Sequence, residues 1–307
     1  MNRRTFLWTA SALASVPALT FARSSGDEPW TLRFSLAHLT VLGCPPPEAT
    51  RIAARAGYDL VSYRLIYMGL PDEPNYALAG NPAMLRETKA ALAATGLKLH
   101  DIELARIIDG VDVASYVPEL ETAAELGARR VISSVWTADR NYALDSLGRL
   151  CDLAGKVGLA ISLEFVTWSN APSLREAAGL VRAVKRANCG LLIDMLHFNR
   201  SRVRPEELDA VPREWFHFAH LCDAPRVIPA TPEGLIHTAR EARLDPGEGA
   251  IDIAAIVNRM PPVPYSLEIP NLERSRRVGY AEHARLCLEH AKQYLLGHPH
   301  PAARRRM

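Results

Sequence analysis

Four apolar runs in this chain stop on residues that can bind a cation. Leu159-Ala-Ile-Ser-Leu ends at Glu164, Leu191-Leu-Ile at Asp194, Trp215-Phe-His-Phe-Ala at His220, and Tyr265-Ser-Leu at Glu268. A buried hydrophobic run has no reason to end on a carboxylate unless something at that end binds the charge. Three carboxylates and one imidazole form a hard to borderline donor set. It suits a divalent metal, Mn²⁺ or Mg²⁺ first, with Co²⁺ or Zn²⁺ as alternatives. Taken alone, each residue has an ordinary structural use: His220 as a hydrogen-bonded core histidine, Glu268 as a strand-end salt bridge. Four such ends on four successive strands are a much rarer coincidence.

The elements that must position these residues alternate between strand-like and helix-like segments. Strands are expected at 31–38, 58–65, 97–104, 130–135, 159–164, 191–194, 215–220 and 264–268. Helices are expected between them at 49–56, 82–95, 112–126, 142–157, 173–187, 205–210 and 251–259, with a last one at 279–296. Gly57, Gly96, Gly127 and Gly158 each follow a helix and precede a strand, where a left-handed cap favours glycine. Eight strands alternating with helices predict a single (β/α)₈ TIM barrel over residues 31–296. No Gly-rich phosphate loop follows the first strand, which disfavours a doubly wound sheet. The longest predicted loop, 222–249, reads as a lid or wall, and residues 297–307 as a mobile tail with His298 and His300 solvated.

In such a barrel, catalytic groups gather at the C-terminal ends of the strands. His38, Arg64, Glu103 and Arg106 fall at that face as candidate substrate contacts, and Trp136 and Trp168 could stack on a sugar face. Of the 307 residues 48% are hydrophobic, enough for a large core, and the net charge is +2. Apart from the tail Arg304-Arg-Arg306 there is no basic stripe, so no nucleic-acid partner is expected. The five cysteines are odd in number and include no C-x-x-C, against a disulfide framework or a structural zinc. At the N-terminus, Asn2-Arg-Arg-Thr-Phe-Leu7 precedes an apolar stretch to Phe21, with Thr20-Phe-Ala22 as a cleavage site. Paired arginines ahead of Phe-Leu resemble a twin-arginine export signal. The apolar run is too short for a stable membrane span, so residues 1–22 are set aside from the fold. Periplasmic or otherwise exported localisation and a partnership with the twin-arginine machinery follow as expectations.

The chain resembles the xylose isomerase-like TIM barrels, a group that includes sugar epimerases, inosose dehydratases and isomerases, and endonuclease IV. Four points carry the resemblance: Leu-Glu164-Phe; Asp194-x-x-His197; His220 with Arg226 six residues on; and Glu268 at the last strand. Pro246-Gly-Glu-Gly249 before Ala-Ile-Asp252 is similar to the Gly-x-Gly segment ahead of the last barrel helix in this group. The resemblance implies that Glu164, Asp194, His220 and Glu268 hold the metal, and that Glu164 and Glu268 also form the acid/base pair. It further implies that His197 and Arg226 contact substrate oxygens. Where the epimerases carry a second glutamate, six residues after the strand-five one, this chain has Asn170. The local Glu164-Phe-Val-Thr-Trp168 instead resembles branches described as sugar phosphate isomerase/epimerase or inosose-type. The endonuclease needs a three-zinc cluster with more histidines and a DNA-binding stripe, both missing here.

The expected activity is a divalent-metal-dependent isomerase or epimerase of a sugar, cyclitol or related polyhydroxy carbonyl compound, acting through an enediolate. A lyase of the same fold, dehydrating a keto-cyclitol or dehydroshikimate-like substrate, is the close alternative. An exported sugar-binding barrel without turnover is the alternative from another class, with oligomerisation open.

Overall fold

The computed structural model describes residues 31–69 and 73–304; the expected export signal lies outside them. Eight strands close into one barrel in the order β1 to β8, each parallel to the next and β8 parallel to β1. They are β1 (Phe34–Leu36), β2 (Leu60–Arg64), β3 (Lys98–Ile107), β4 (Arg130–Val135), β5 (Ala160–Glu164), β6 (Cys189–Asp194), β7 (Phe216–Leu221) and β8 (Tyr265–Leu267). The helices are α1 (Pro46–Ala56), α2 (Pro82–Thr95), α3 (Val117–Glu125), α4 (Arg140–Lys156), α5 (Leu174–Val184), α6 (Met195–Arg200), α7 (Pro232–Glu241), α8 (Ile253–Val257), α9 (Leu272–Val278) and α10 (Tyr280–Gly297). The barrel is thus the TIM architecture that the alternation predicted.

Burial explains the strands. All six residues of β6 and all five of β2 are buried, as expected where helices cover a parallel sheet on one face and the barrel core covers the other. Leu191, Leu192 and Ile193 are fully buried, each worth about 1.5–3 kcal/mol in transfer terms. On α5 the buried positions Leu174, Ala177, Ala178, Val181 and Val184 recur at helical spacing and form one stripe against the barrel. The α1 helix ends at Gly57 with φ 90°, a conformation that costs a residue with a Cβ, and its N–H closes on the carbonyls of Ala53 and Ala54.

Inside the barrel, Ile132, Leu192 and Phe218 pack together with Leu104 against them. The Phe218 ring lies edge-on to both His100 and His220, with centroids at 4.8 and 5.6 Å. It forms the floor under His220.

Several expected elements fall differently. The edges of the barrel shorten to three residues in β1 and β8, while β3 runs on to Ile107, so Glu103 and Arg106 lie within it. The predicted 205–210 helix is a 3-10 turn, and the helix that does follow β6 is α6, started by the Asp194 side chain. The predicted long loop contains α7, capped by Thr231 Oγ1 accepting from Gly234 N–H. The expected last helix is α10, and an additional helix, α9, precedes it, parted from it at Gly279. His300, expected to be solvated, is buried with its Nε2 3.1 Å from the Met260 carbonyl, and residues 301–304 form a helical turn.

Candidate metal centre and its cavity

Each of the four proposed ligands arrives by the same route, an apolar strand emerging at the C-terminal mouth. Register places Asp194 beside His220 across β6 and β7, and His220 beside Ser266 across β7 and β8, so Glu268 follows just above. One donor atom from each of Glu164, Asp194, His220 and Glu268 lies within 4.8 Å of the others, and all four residues are buried. His220 Nδ1 stands 3.5 Å from Glu164 Oε1, 3.4 Å from Asp194 Oδ2 and 3.2 Å from Glu268 Oε2. Yet that nitrogen makes no hydrogen bond of acceptable geometry to any of them. It aims between the oxygens rather than at one.

An orphaned buried nitrogen facing three carboxylates is costly unless a cation completes it. At metal–ligand bonds of about 2.1 Å, neighbouring donors stand about 3.0–3.4 Å apart, which matches the three distances from Nδ1. The residues present therefore fit a divalent cation. Electrostatics agree. Burial raises the Glu164 carboxyl to a pKa of about 7, with the charges of Asp194 and Glu268 adding to it and His220 opposing. Burial pushes Glu268 and Asp194 the same way, but His220 and Arg243 outweigh it and both end below the usual range. The surrounding acids hold His220 well above its ordinary value against the pull of burial.

The ligands are oriented from behind. Asp194 Oδ1 accepts from the His197 backbone N–H at 2.8 Å, capping α6, which leaves Oδ2 for the centre. His197 itself is buried and neutral, its pKa lowered to about 4 chiefly by desolvation. Its Nδ1 accepts weakly from the Thr167 N–H at 3.4 Å, which assigns the proton to Nε2. The Trp168 ring stands edge-on to it at 5.1 Å.

Arg243 was not anticipated. Its guanidinium is buried, with one nitrogen 2.6 Å from Asp194 Oδ2 and another 2.7 Å from Glu268 Oε2, while Nε donates to the Ala239 carbonyl at 2.8 Å. It spans two of the four ligands and offsets part of their charge. The backbone that delivers it is pinned on both sides: Arg243 N–H donates to Pro270 O, and Asp223 and Leu244 exchange backbone bonds at 2.8 and 2.9 Å. The Asp223 carboxylate then gathers the N–H groups of Gly247, Gly249 and Ile251 at 2.9–3.0 Å, which shapes the Pro-Gly-Glu-Gly turn. A Cβ on Gly249 would stand 2.3 Å from Asp223 Oδ1 and 2.4 Å from Ala224 O, so only glycine fits. A lone arginine in a loop carries no sequence signal. Its place just ahead of that turn is the only clue.

Above the centre lies a cavity of about 60 Å³, lined among others by Glu164, Glu268, His197, Trp168, Glu103 and Trp136. Arg64 lines it as well, paired with Glu103 at 3.0 Å and with Glu73 at 3.6 Å. Arg226 does not reach it: the residue is exposed on the segment after β7 and is absent from the lining, where Arg240 and Arg243 appear instead. Asn170 is exposed and lies outside the cavity too. His38 spends both nitrogens on backbone, accepting from Arg64 N–H and facing Cys44 O, each at 2.8 Å. Arg106 donates to Met68 O and does not line the cavity. All five cysteines are free and buried; Cys222 touches Arg243 at 3.3 Å and lies outside the ligand set. No helix among the described residues is long and apolar enough to cross a membrane.

A closed eight-stranded parallel barrel with a buried cluster of acids and a histidine at its C-terminal mouth defines a TIM barrel with a candidate metal centre. Residues 50–290 match the family described as xylose isomerase-like TIM barrel, and the chain belongs to it. The inosose isomerase of Bacillus subtilis (strain 168) is 26% identical over 184 residues, which is 57% of this chain and 64% of that protein. The 3-dehydroshikimate dehydratase of Pseudomonas putida (strain KT2440) is 26% identical over 239 residues, 73% of this chain and 35% of that one. The chain thus spans less than two thirds of the length of either relative. Among solved structures, the IolI protein with a bound zinc atom superposes with a TM-score of 0.73 at 19% identity, covering 87% of this chain and 99% of that one.

Proposed function

We propose that the protein is a divalent-metal-dependent isomerase or epimerase of a sugar, cyclitol or related polyhydroxy carbonyl compound. The observation that carries this reading is the buried quartet converging on the unpartnered His220 Nδ1. A dication held by Glu164, Asp194, His220 and Glu268 would supply positive charge for the oxygens of an enediolate. Manganese is our first choice for three carboxylates and one imidazole, and the zinc of the structural neighbour makes zinc the second.

The residues supply the rest. A carboxylate at Glu164 or Glu268 takes the proton from the carbon beside the carbonyl. Donation to the opposite face of a second proton, already held by the other carboxyl group, inverts that carbon. Return of the abstracted proton to the neighbouring carbon, with the hydroxyl proton passing to the former carbonyl oxygen, moves the carbonyl. His197 Nε2–H donates to a substrate oxygen, and Trp168 walls the cavity. Loss of a hydroxyl from the next carbon, leaving as water with the proton returned by the same carboxylate, gives a dehydration instead. The relative named 3-dehydroshikimate dehydratase, matched along 73% of this chain, favours that second reading. The cavity of about 60 Å³ is walled on one side by the 222–249 segment, through Ala239, Arg240 and Arg243.

The test is carbon-bound deuterium uptake from D₂O into keto-sugars, inososes and 3-dehydroshikimate, with the protein fully metal-loaded. Exchange in one of them supports the reading. No exchange in any, at full metal content, would leave a binding barrel without turnover. Export by the twin-arginine route is a separate proposal resting on Arg3-Arg4-Thr-Phe-Leu7. Replacing Arg3 and Arg4 by Lys should strand the precursor in the cytoplasm; unchanged export of a shortened chain would refute it.

A further inference from the structure

The cavity has two chemically distinct ends. At one, Arg243 offsets part of the charge of the quartet. At the other stand cations: Arg64 and Arg240 both line the cavity. Arg64 is buried and paired with Glu103 and Glu73, yet its Nε has no partner. Arg240, on the last turn of α7, is half-buried, and its guanidinium makes no ion pair or hydrogen bond among the described residues. Its surroundings are cationic as well. Burial and the Arg64 charge pull its pKa down, Glu73 offsets part of this, and Arg106 adds to it.

A half-buried guanidinium beside two others is unfavourable, because burial and like charge oppose it together and Glu73 offsets only part of this. Here it is held over the catalytic cavity by α7. Of the three guanidiniums that line the cavity, Arg64 is paired with Glu103 and Glu73 and Arg243 with Asp194 and Glu268, while Arg240 has no carboxylate partner among the described residues. The charges that act most on Arg240 are those of Arg64, Glu73 and Arg106, none of them in the quartet. Guanidiniums are suited to carboxylate and phosphate through paired, planar N–H donors.

We infer that the substrate carries an anionic group, a carboxylate or a phosphate, and that Arg240, with Arg64 behind it, receives that group while the carbonyl end faces the metal quartet. This rests on the reading of the quartet as a metal centre for a polyhydroxy carbonyl compound. It narrows the substrate class, since neutral inososes and free keto-sugars leave Arg240 without a partner. It also makes α7 the specificity element, since the helix that walls the cavity carries the anion receptor.

The experiment is calorimetric titration of the Mn²⁺-loaded full chain with three unreactive cyclitols: quinate, myo-inositol 1-phosphate and myo-inositol. One or both anions should bind about tenfold or more tightly than myo-inositol, as expected for a charge-assisted hydrogen bond. Which of the two binds tells carboxylate from phosphate. In Arg240→Gln the preference should collapse while metal content stays full, and Arg240→Lys should keep part of it. The inference is overturned if myo-inositol binds as tightly as both anions, if neither anion binds at millimolar concentration, or if Arg240→Gln keeps the preference. Deuterium uptake separates the two levels. A preference for anions with no exchange in any keto compound would sink the catalytic reading and leave the anion receptor standing.

Discussion

Two clusters of acids and a histidine occupy this barrel, and they are settled in opposite ways. Glu164, Asp194, His220 and Glu268 converge at the mouth and leave His220 Nδ1 unpartnered. Asp245, Glu248 and His290 also bring their donor atoms together, behind the Pro-Gly-Glu-Gly turn. There, however, Arg274 grips the fully buried Asp245 with two nitrogens at 2.5 and 2.7 Å, and His290 Nδ1 bonds to the same carboxylate. Arg274 Nε goes on to His283 Nδ1 at 2.9 Å, and His283 Nε2 reaches Ile269 O at 2.9 Å. That cluster is complete without an ion and ties the turn to α10. Ligand type and proximity are therefore not enough to mark a metal site; what distinguishes one is charge and hydrogen-bonding capacity left over.

The largest effect that would break this contrast is catalytic. Glu164→Gln and Glu268→Gln keep the shape and remove the base, so each should slow solvent-deuterium exchange about 10²–10⁴-fold with metal saturating. Wild-type exchange in both variants would move the base elsewhere in the cavity, with Glu103 the next candidate.

The two clusters should next separate by stability. Asp245→Asn leaves Arg274 facing a neutral group and should cost about 3 kcal/mol in chemical denaturation. The metal-induced stabilisation should survive it, worth about 2.7 kcal/mol at a hundredfold excess over Kd. Asp194→Asn and His220→Ala should abolish that metal-induced gain and lower metal content at least tenfold. Full metal content by elemental analysis in both would remove the quartet from consideration; loss of metal in Asp245→Asn alone would reverse the assignment of the two clusters.

A third carboxylate sharpens the comparison at the smallest scale. Asp101 is buried in the barrel with Ser62 donating to Oδ2 at 2.6 Å, while its other oxygen is unpartnered. Burial lifts its pKa to about 7, so it is settled by a proton rather than a metal or an arginine. The folded state holds that proton more tightly than the unfolded chain does. Stability from this group is present at low pH and is lost as pH rises from about 4 to about 7, with a slope on the order of 1 kcal/mol per unit. Asp101→Asn should flatten stability over that window relative to the parent; an unchanged pH dependence would place the titration on another group.

Much of this was legible in the chain. Strands buried on both faces read as continuous apolar runs, so Leu191-Leu-Ile-Asp194 and its three counterparts announced both the barrel and the quartet. Local signals also located the helix ends, as at Gly57, because a positive φ is a property of a single residue. The helices α6 and α7 escaped because their starts depend on single side chains, Asp194 and Thr231, inside segments that otherwise read as loop. Arg226 shows the limit of the resemblance, which implied a substrate contact there, while the backbone after β7 carries the residue to the surface.

What the sequence by itself determined, then, is the alternation of strands and helices and the chemistry carried at each strand end, both of which are local in the chain. Only the tertiary structure decided that Arg243, twenty-three residues beyond His220, enters the centre and that Arg240 rather than Arg226 faces the cavity. It also decided that Asp245 is spent on Arg274. Those outcomes depend on which charges meet across distant loops once the barrel closes, and the low-dielectric interior makes each such meeting worth far more than any local preference.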